Sequence, residues 1–367
     1  MTSQNIRFSR SKKSDFDATL RKRVNDYFKS NNLDIHGDYR IWLKLIVMFA
    51  IYFVPYTLTI SGVISSALGV WSMYAIMGVG MAGIGLTVMH DACHGAFSRS
   101  KKVNQIIGYS LNMLGGTAFN WIVQHNVLHH TFTNVSGVDE DISHGAILRL
   151  APNQKHYFMH KFQVVYAWFL YGFMTVSWVT MKDFVRLERY KKMGLVETQG
   201  RTYKGVLTEI ILSKILYYSY ALVLPLILID LPWYVILGSF ITLHFIAGLI
   251  LGLIFQPAHV MEDNEFPLPD ESGTIDNQRS VHQIVTTANF ATKSTFFSWY
   301  AGGLNFQVEH HLFPNISHVH YKKLSKIVKA TAEEYGLPYH NQPTFAHAIF
   351  YHGRMLYKLG KRNPVLG

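Results

Sequence analysis

The chain has 367 residues, 49% hydrophobic and 14% aromatic, with a formal charge of +11 and one cysteine. Its apolar residues are concentrated in long runs, which points to a membrane protein and away from a pair of soluble domains. Lysines and arginines flank those runs, so membrane topology accounts for the charge; no nucleic-acid motif is present, and the lone Cys93 excludes an intrachain disulfide or a multi-cysteine metal site.

In chain order, residues 1–40 read as a basic cytoplasmic arm carrying Arg7, Arg10, Lys12, Lys13, Arg21, Lys22, Arg23, Lys29 and Arg40. Phe16, Leu20, Val24, Tyr27 and Phe28 recur at helical spacing, which fits a helix on the membrane surface or a solvated tail. The polar, basic start is not a secretory signal.

Residues 41–89 form a first transmembrane hairpin. They hold two spans of about 20 residues, with a turn around Ser61, Gly62, Ser65 and Ser66. No charged residue occurs from Leu45 to Met89, and the basic flanks lie outside, so both ends face the cytoplasm. The run stops at His90-Asp-Ala-Cys-His94, whose two histidines at i and i+4 share one helical face.

Residues 90–206 read as a cytoplasmic or interfacial region. Within it, 106–123 is apolar but short and contains Gly115-Gly116, which suggests an interfacial or re-entrant segment. Next comes His125-Asn-Val-Leu-His129-His130, and then the acids Asp139, Glu140 and Asp141. Residues 161–181 are oily again. The sequons at Asn134 and Asn315 lie on the cytoplasmic side, where they would never be modified.

Residues 207–257 form a second hairpin, with spans near 211–229 and 233–256 broken at Asp230-Leu231-Pro232 and His259 just beyond. Residues 262–276 hold six acids and no base, for which the sequence offers no account. The C-terminal region, 258–367, contains Gln307-Val-Glu-His310-His311, and a helix over 320–335 stopped by Gly336 and Pro338. The fold expected is therefore all-α and integral to the membrane: four transmembrane helices in two hairpins, with a cytoplasmic helical cap holding a di-metal site.

Five histidines lie in the first two groups, two in the third, and His259 at the end of the last span. All-imidazole coordination suits iron, zinc, copper or nickel, and eight such ligands exceed the needs of one ion, so two metals are the natural count. Asp91, Asn126, Asp139, Asp141 and Glu309 are candidates to orient the imidazoles through their other N–H, or else solvated polar groups. His318 and His320 serve equally well as helix-start residues. Cys93 faces away from His90 and His94 and reads as packing. A histidine-rich metal transporter would place ionisable groups within the spans, where the candidates are Lys44 and Lys214 near the ends and the single His244.

These three histidine groups, in this order, resemble the histidine boxes of membrane fatty acid desaturases, from about residue 40 to the end. Gln307 at the head of the third box resembles the front-end type, which acts between an existing double bond and the carboxyl end. Thr131-Phe-Thr-Asn-Val-Ser-Gly137 and Leu312-Phe-Pro-Asn-Ile-Ser-His-Val-His-Tyr321 look most like cyanobacterial Δ6 acyl-lipid and bacterial linoleoyl-CoA desaturases. The resemblance implies an O2-dependent oxidoreductase that places a cis double bond in an acyl-CoA or acyl-lipid chain. It implies two irons held by His90, His94, His125, His129, His130, His259, Gln307, His310 and His311. A hydroxylase on the same scaffold is the nearest alternative. No cytochrome b5 haem motif is present, so the expected electron donor is a separate ferredoxin or cytochrome b5. The expected setting is a bilayer, with a bacterial inner membrane and a cytoplasmic active site.

One site can gather all three boxes only if 106–123 and 161–181 do not cross the membrane. Cysteines introduced near residues 100 and 145 should therefore react with an impermeant reagent from the same face; labelling from opposite faces would sink this topology.

Overall fold

The computed structural model describes residues 6–9, 15–143 and 145–362. Arg10, Lys12 and Lys13 of the basic arm lie outside the described residues. Among the described residues the fold is mostly helical, and four helices are long and apolar enough to cross a membrane: Tyr39–Ile60, Ala67–Cys93, Tyr203–Leu228 and Trp233–His259. The chain divides into two compact units.

The unit of Asp38–Val123 and Trp168–Leu253 contains most of the long helices. Its first two are joined by a short turn closed by Ser66, whose side chain accepts from Gly69 N–H. They approach closely enough that a Cβ on Gly80 would lie 2.7 Å from the Tyr52 nitrogen. The second helix passes through a π-helical stretch, Ile84–Met89, and continues through His90 to Cys93, so the first histidine box lies at its end, with His90 on the last turn and His94 as the C-cap. The third begins at Tyr203 rather than near 211, and the fourth runs on to include His259.

Residues 106–123 do not form a long helix. They are divided among Lys101–Gly108, Ser110–Met113 and Ala118–Ile122. The break falls at Gly115, where φ is +82° and a Cβ would come 2.6 Å from the Tyr217 ring. Glycine alone meets both demands. The oily stretch around 161–181 is also interrupted: helices Phe158–Gly172 and Met174–Lys192 meet at a 57° bend, and the pair would count as a fifth span only if read as one.

Within this unit a buried charge ties the broken segment to the helices. Lys214 Nζ lies 3.1 Å from the Asp183 carboxylate and donates to the carbonyls of Gly115 (3.1 Å) and Trp178 (2.8 Å). Asp183 also accepts from Thr117 Oγ1 (3.0 Å) and Asn120 Nδ2 (3.2 Å). The sequence reading placed Lys214 near a span end; its side chain is buried and satisfied. His244 is likewise a satisfied core histidine, with Nε2 2.8 Å from Tyr217 Oη and Nδ1 3.1 Å from Thr175 Oγ1.

The other unit comprises Met1–Gly37, Gln124–Ala167 and Ile254–Gly367. Its N-terminal helix, Phe16–Ser30, buries Phe16, Leu20, Val24 and Phe28 against Leu324, Val328 and Ala332 of helix Tyr321–Glu334. The apolar stripe is thus neither on a membrane surface nor in solvent: burying four large side chains at about 1.5–3 kcal/mol each favours protein packing. Two short parallel strand pairs depart from an all-α fold, Arg7–Phe8 with Thr274–Ile275 and Asn289–Phe290 with Asn341–Gln342. The acidic stretch now has a structural role. Glu262 pairs with Arg354 (3.2 Å) and Lys358 (3.1 Å), Asp263 accepts from Gln342, and Asp270 closes the turn that leads into Thr274.

Removing one partner of a buried ion pair strands the other, at a cost of about 3–5 kcal/mol. Lys214→Ala should therefore lower the thermal midpoint of the detergent-solubilised protein well below that of an exposed lysine control such as Lys102→Ala.

Candidate metal centre

Box two lies in the π-helical turn Val123–His129. An α-helix has 3.6 residues per turn, so residues i and i+5 would point about 140° apart. Here His130 N–H bonds to the His125 carbonyl at 2.9 Å, an i to i+5 closure that brings the two residues together with their rings edge-on. The wider turn brings His125, His129 and His130 onto one side. His130 Nε2 lies 3.2 Å from His125 Nε2 and 2.9 Å from His310 Nε2.

Box three needs no such device. Gln307, His310 and His311 stand at i, i+3 and i+4 on the α-helix Gln307–Leu312, a spacing that already shares one face. The helix begins after Gly302 and Gly303, both left-handed, and a Cβ on Gly303 would lie 3.0 Å from His318 Cβ.

Two groups of imidazoles result in this unit. The candidate ligand atoms of His129, His259 and His311 lie within 4.8 Å of one another, as do those of His130, His310 and His311. The Gln307 amide is 3.0 Å from His259 Nε2 and 3.3 Å from His311 Nε2. All are buried.

The partners of the outer ring nitrogens fix the tautomers. A carboxylate, an amide oxygen and a main-chain carbonyl can only accept. His129 Nδ1 therefore donates to Asp139, 3.0 Å from each carboxylate oxygen, and His311 Nδ1 donates to Gln283 Oε1 at 2.7 Å. His259 Nδ1 donates to the Thr286 carbonyl at 3.4 Å. In each ring Nε2 remains as the ligand atom for a cation, which would displace any proton held there. His310 Nδ1 is held by Tyr321 Oη at 3.1 Å.

This donor set fits a metal. The buried atoms His129 Nε2 and Gln307 Oε1 have no hydrogen-bond partner among the described residues, and the cluster sets three imidazoles beside an amide that presents oxygen when turned over. Burial disfavours charge on His129, but Asp139 and Asp141 outweigh it and raise its pKa to about 9. The same carboxylates would stabilise a bound cation.

The residues singled out as orienting partners fall in different places. Asp139 touches His129 directly and also accepts from the backbone N–H of Asn134 and Asp141. Asp141 lies 3.5 Å from His129 Nδ1 and 3.6 Å from His125 Nδ1, and accepts from Gln124. Asn126 lies in the same π turn. Glu309 turns its carboxylate to Asn289 Nδ2 and Tyr339 Oη, both at 2.8 Å, and burial pushes its pKa up to about 7 against those hydrogen bonds. In the other unit, His90 and His94 have ring centroids 4.7 Å apart and both meet Trp121 edge-on. Asp91 is 4.0 Å from His90 Nδ1. Cys93 packs at 3.6 Å from Met89 Sδ.

Sequence reasoning missed Gln283, Thr286 and Tyr321, which have no spacing relation to the boxes. It also passed over Asn134, whose φ is +61° and whose amide donates to the carbonyls of His259 (2.9 Å) and Glu265 (3.0 Å). Other histidines are structural. His352 holds the Val260 carbonyl at 2.8 Å, His320 meets Phe28 edge-on, and burial lowers His282 and His352 to about 4.

A family model described as fatty acid desaturase matches residues 65–343. The chain is 34% identical to an sn-1 linoleoyl-lipid 6-desaturase of Synechocystis sp., over 98% of this chain and 99% of that protein. It is 33% identical to an acyl-lipid (8-3)-desaturase of Physcomitrium patens, over 97% of this chain and 74% of the relative. It is 30% identical to an sn-1 linoleoyl-lipid 6-desaturase of Arthrospira platensis, over 95% and 94% respectively.

Partners that orient a ligand imidazole are worth about 10–100-fold in metal affinity. Asp139→Asn keeps the acceptor but removes its charge, so iron affinity measured by equilibrium dialysis should fall within that range. An unchanged affinity would exclude Asp139 from the metal centre.

Proposed function

The chain belongs to the fatty acid desaturase family, and from that premise we propose that it is a front-end acyl-lipid desaturase of Δ6-like regiochemistry with a two-iron centre. The observation that carries this reading is the convergence of His129, His259, His311 and Gln307, each imidazole presenting Nε2 inward and held at Nδ1 from behind.

The ligand set proposed is His90, His94, His125, His129, His130, His259, Gln307, His310 and His311. For His90 and His94 the support is the order and spacing of the boxes in the sequence. Desaturation converts two adjacent methylenes to a cis alkene. With O2, two electrons from a donor and two protons, the products are the alkene and two waters. Two irons bound here would supply the oxygen activation that unactivated C–H bonds require. The chain's own residues prepare the site. Asp139, Gln283 and Thr286 keep the Nδ1–H tautomers, Tyr321 holds His310, and the buried setting excludes bulk water.

We place the four long helices in two transmembrane hairpins, 41–89 and 207–257, with all histidine groups toward the cytoplasm. Residues 90–206 and 258–367 then form the cap, and 1–40 leads into it. The basic flanks of the apolar runs support this orientation, and a bacterial inner membrane is the proposed location. The donor is a separate ferredoxin or cytochrome b5, drawn to the cationic loops.

Expression in a host fed C16 and C18 acids, with new double bonds located by mass spectrometry, should yield an alkene between an existing double bond and the carboxyl end. His310→Ala and Gln307→Ala should each abolish it. A hydroxy acid without alkene would reverse the choice of reaction, and full activity in His310→Ala would overturn the metal centre.

A further inference from the structure

The unit that carries the first histidine box contains a cavity of about 360 Å³, lined in part by Ala92 and Cys93 of that box but by none of the proposed ligands themselves. Its floor is apolar, formed by Ala92, Cys93 and Ile122 with the buried ring of Phe119. Its rim is polar, with Lys101, Gln105, Arg201 and Glu209.

Two long apolar helices meet at this cavity by their ends. Ala92 and Cys93 close the helix Ala67–Cys93, and Glu209 lies in the second turn of Tyr203–Leu228, just after Arg201. The cavity therefore sits at the level where an apolar span gives way to polar sequence, which is the depth of a lipid headgroup. Helix Lys101–Gly108 forms one wall, packed closely enough that a Cβ on Gly108 would lie 3.1 Å from Cys93 Sγ.

The charges at the rim do not cancel. Arg201 pairs with Glu209 at 2.6 Å, and Glu209 also accepts from Asn112 at 3.1 Å, so the carboxylate is held away from a ligand. The guanidinium lies 5.7 Å from the Phe119 centroid and keeps further N–H donors. Lys101 makes no ion pair among the described residues. Two cations and one carboxylate leave a single positive charge, which matches a phosphodiester monoanion. A guanidinium with a nearby ammonium is a standard donor pair for phosphate oxygens.

We propose that this cavity binds the glycerophosphate headgroup of the acyl-lipid substrate, with Lys101 and Arg201 on the phosphodiester and the apolar floor under the glycerol and first methylenes. The volume suits a glycerophosphate and is too small for a whole CoA moiety. The inference rests on the reading of the chain as an acyl-lipid desaturase and names the headgroup chemistry that reading left open.

The test is equilibrium binding of dihexanoyl phosphatidylglycerol to the full chain in neutral detergent, read by titration calorimetry and independent of turnover. Lys101→Glu should weaken binding by about tenfold or more, the scale of a lost charge-assisted hydrogen bond. Gln105→Trp, which obstructs the rim from an exposed position, should do the same. Lys102→Glu makes an equal charge change outside the cavity and should leave binding unaltered. Equal binding by all variants overturns the proposal. So does equal weakening by Lys102→Glu, which would signal general electrostatics, or displacement by inorganic phosphate at the same concentration as the lipid, which would signal a free-anion site. A dihexanoyl galactolipid that binds as tightly as the phospholipid also overturns it. If headgroup binding behaves as expected but no alkene forms in the feeding experiment, the desaturase reading fails and the cavity assignment stands.

Discussion

The hydrogen bond from His130 N–H to the His125 carbonyl decides the geometry of the metal centre. Three histidines at i, i+4 and i+5 cannot share a face of an α-helix, because the last is turned well away from the first. A π turn closes on i+5 and removes that conflict. Such turns are uncommon and less well packed than α turns, so neighbouring structure must hold this one in place. Thr133 Oγ1 bonds back to the His129 carbonyl at 2.8 Å, and Asn134 N–H donates to Asp139 at 2.8 Å, so the chain is gripped directly after the turn. A second π stretch, Ile84–Met89, immediately precedes His90, whereas the third box sits on a plain α-helix because its spacing permits it.

With the rings gathered, the remaining problem is their protonation. Closely packed imidazoles with undefined tautomers would offer N–H to one another rather than lone pairs to a cation. The structure answers with acceptors brought from separate segments, Asp139 from the loop after box two and Gln283 and Thr286 from the segment around helix Arg279–Val285, while the hydroxyl of Tyr321, at the start of a C-terminal helix, holds His310. Of these only Asp139 carries a formal charge, with Asp141 behind it. The negative charge is therefore concentrated near His129, while His259 and His311 are oriented by neutral groups. Burial keeps His282 and His352 neutral as packing residues.

In the helical unit, polarity is similarly confined to a few satisfied positions. Lys214 would be a severe liability in an apolar setting, but Asp183 and two carbonyls surround it. Those carbonyls belong to Gly115, at the break in the segment after box one, and to Trp178, in the bent pair. One lysine thus supplies the partners that two interrupted helices lack. At the Gly115 break this satisfies a carbonyl that a continuous helix would otherwise have paired.

The sequence by itself determined the apolar runs, the four long helices and the identity of the histidine boxes, because these depend on composition and short-range spacing. It placed the first turn near Ser61–Ser66, the interruption at Gly115-Gly116 and the C-terminal helix ending before Gly336. Tertiary structure decided the rest. The π turn is not encoded in spacing, since His125 and His129 satisfy an α pattern equally well and only His130 betrays the difference. The stripe of Phe16, Leu20, Val24 and Phe28 fits membrane, solvent or protein burial alike, and the partner helix Tyr321–Glu334, some three hundred residues away, settles which. Gln283, Thr286 and Tyr321 were illegible because a hydrogen-bond acceptor for an imidazole can come from any residue with an oxygen, and only the folded chain shows which oxygens arrive.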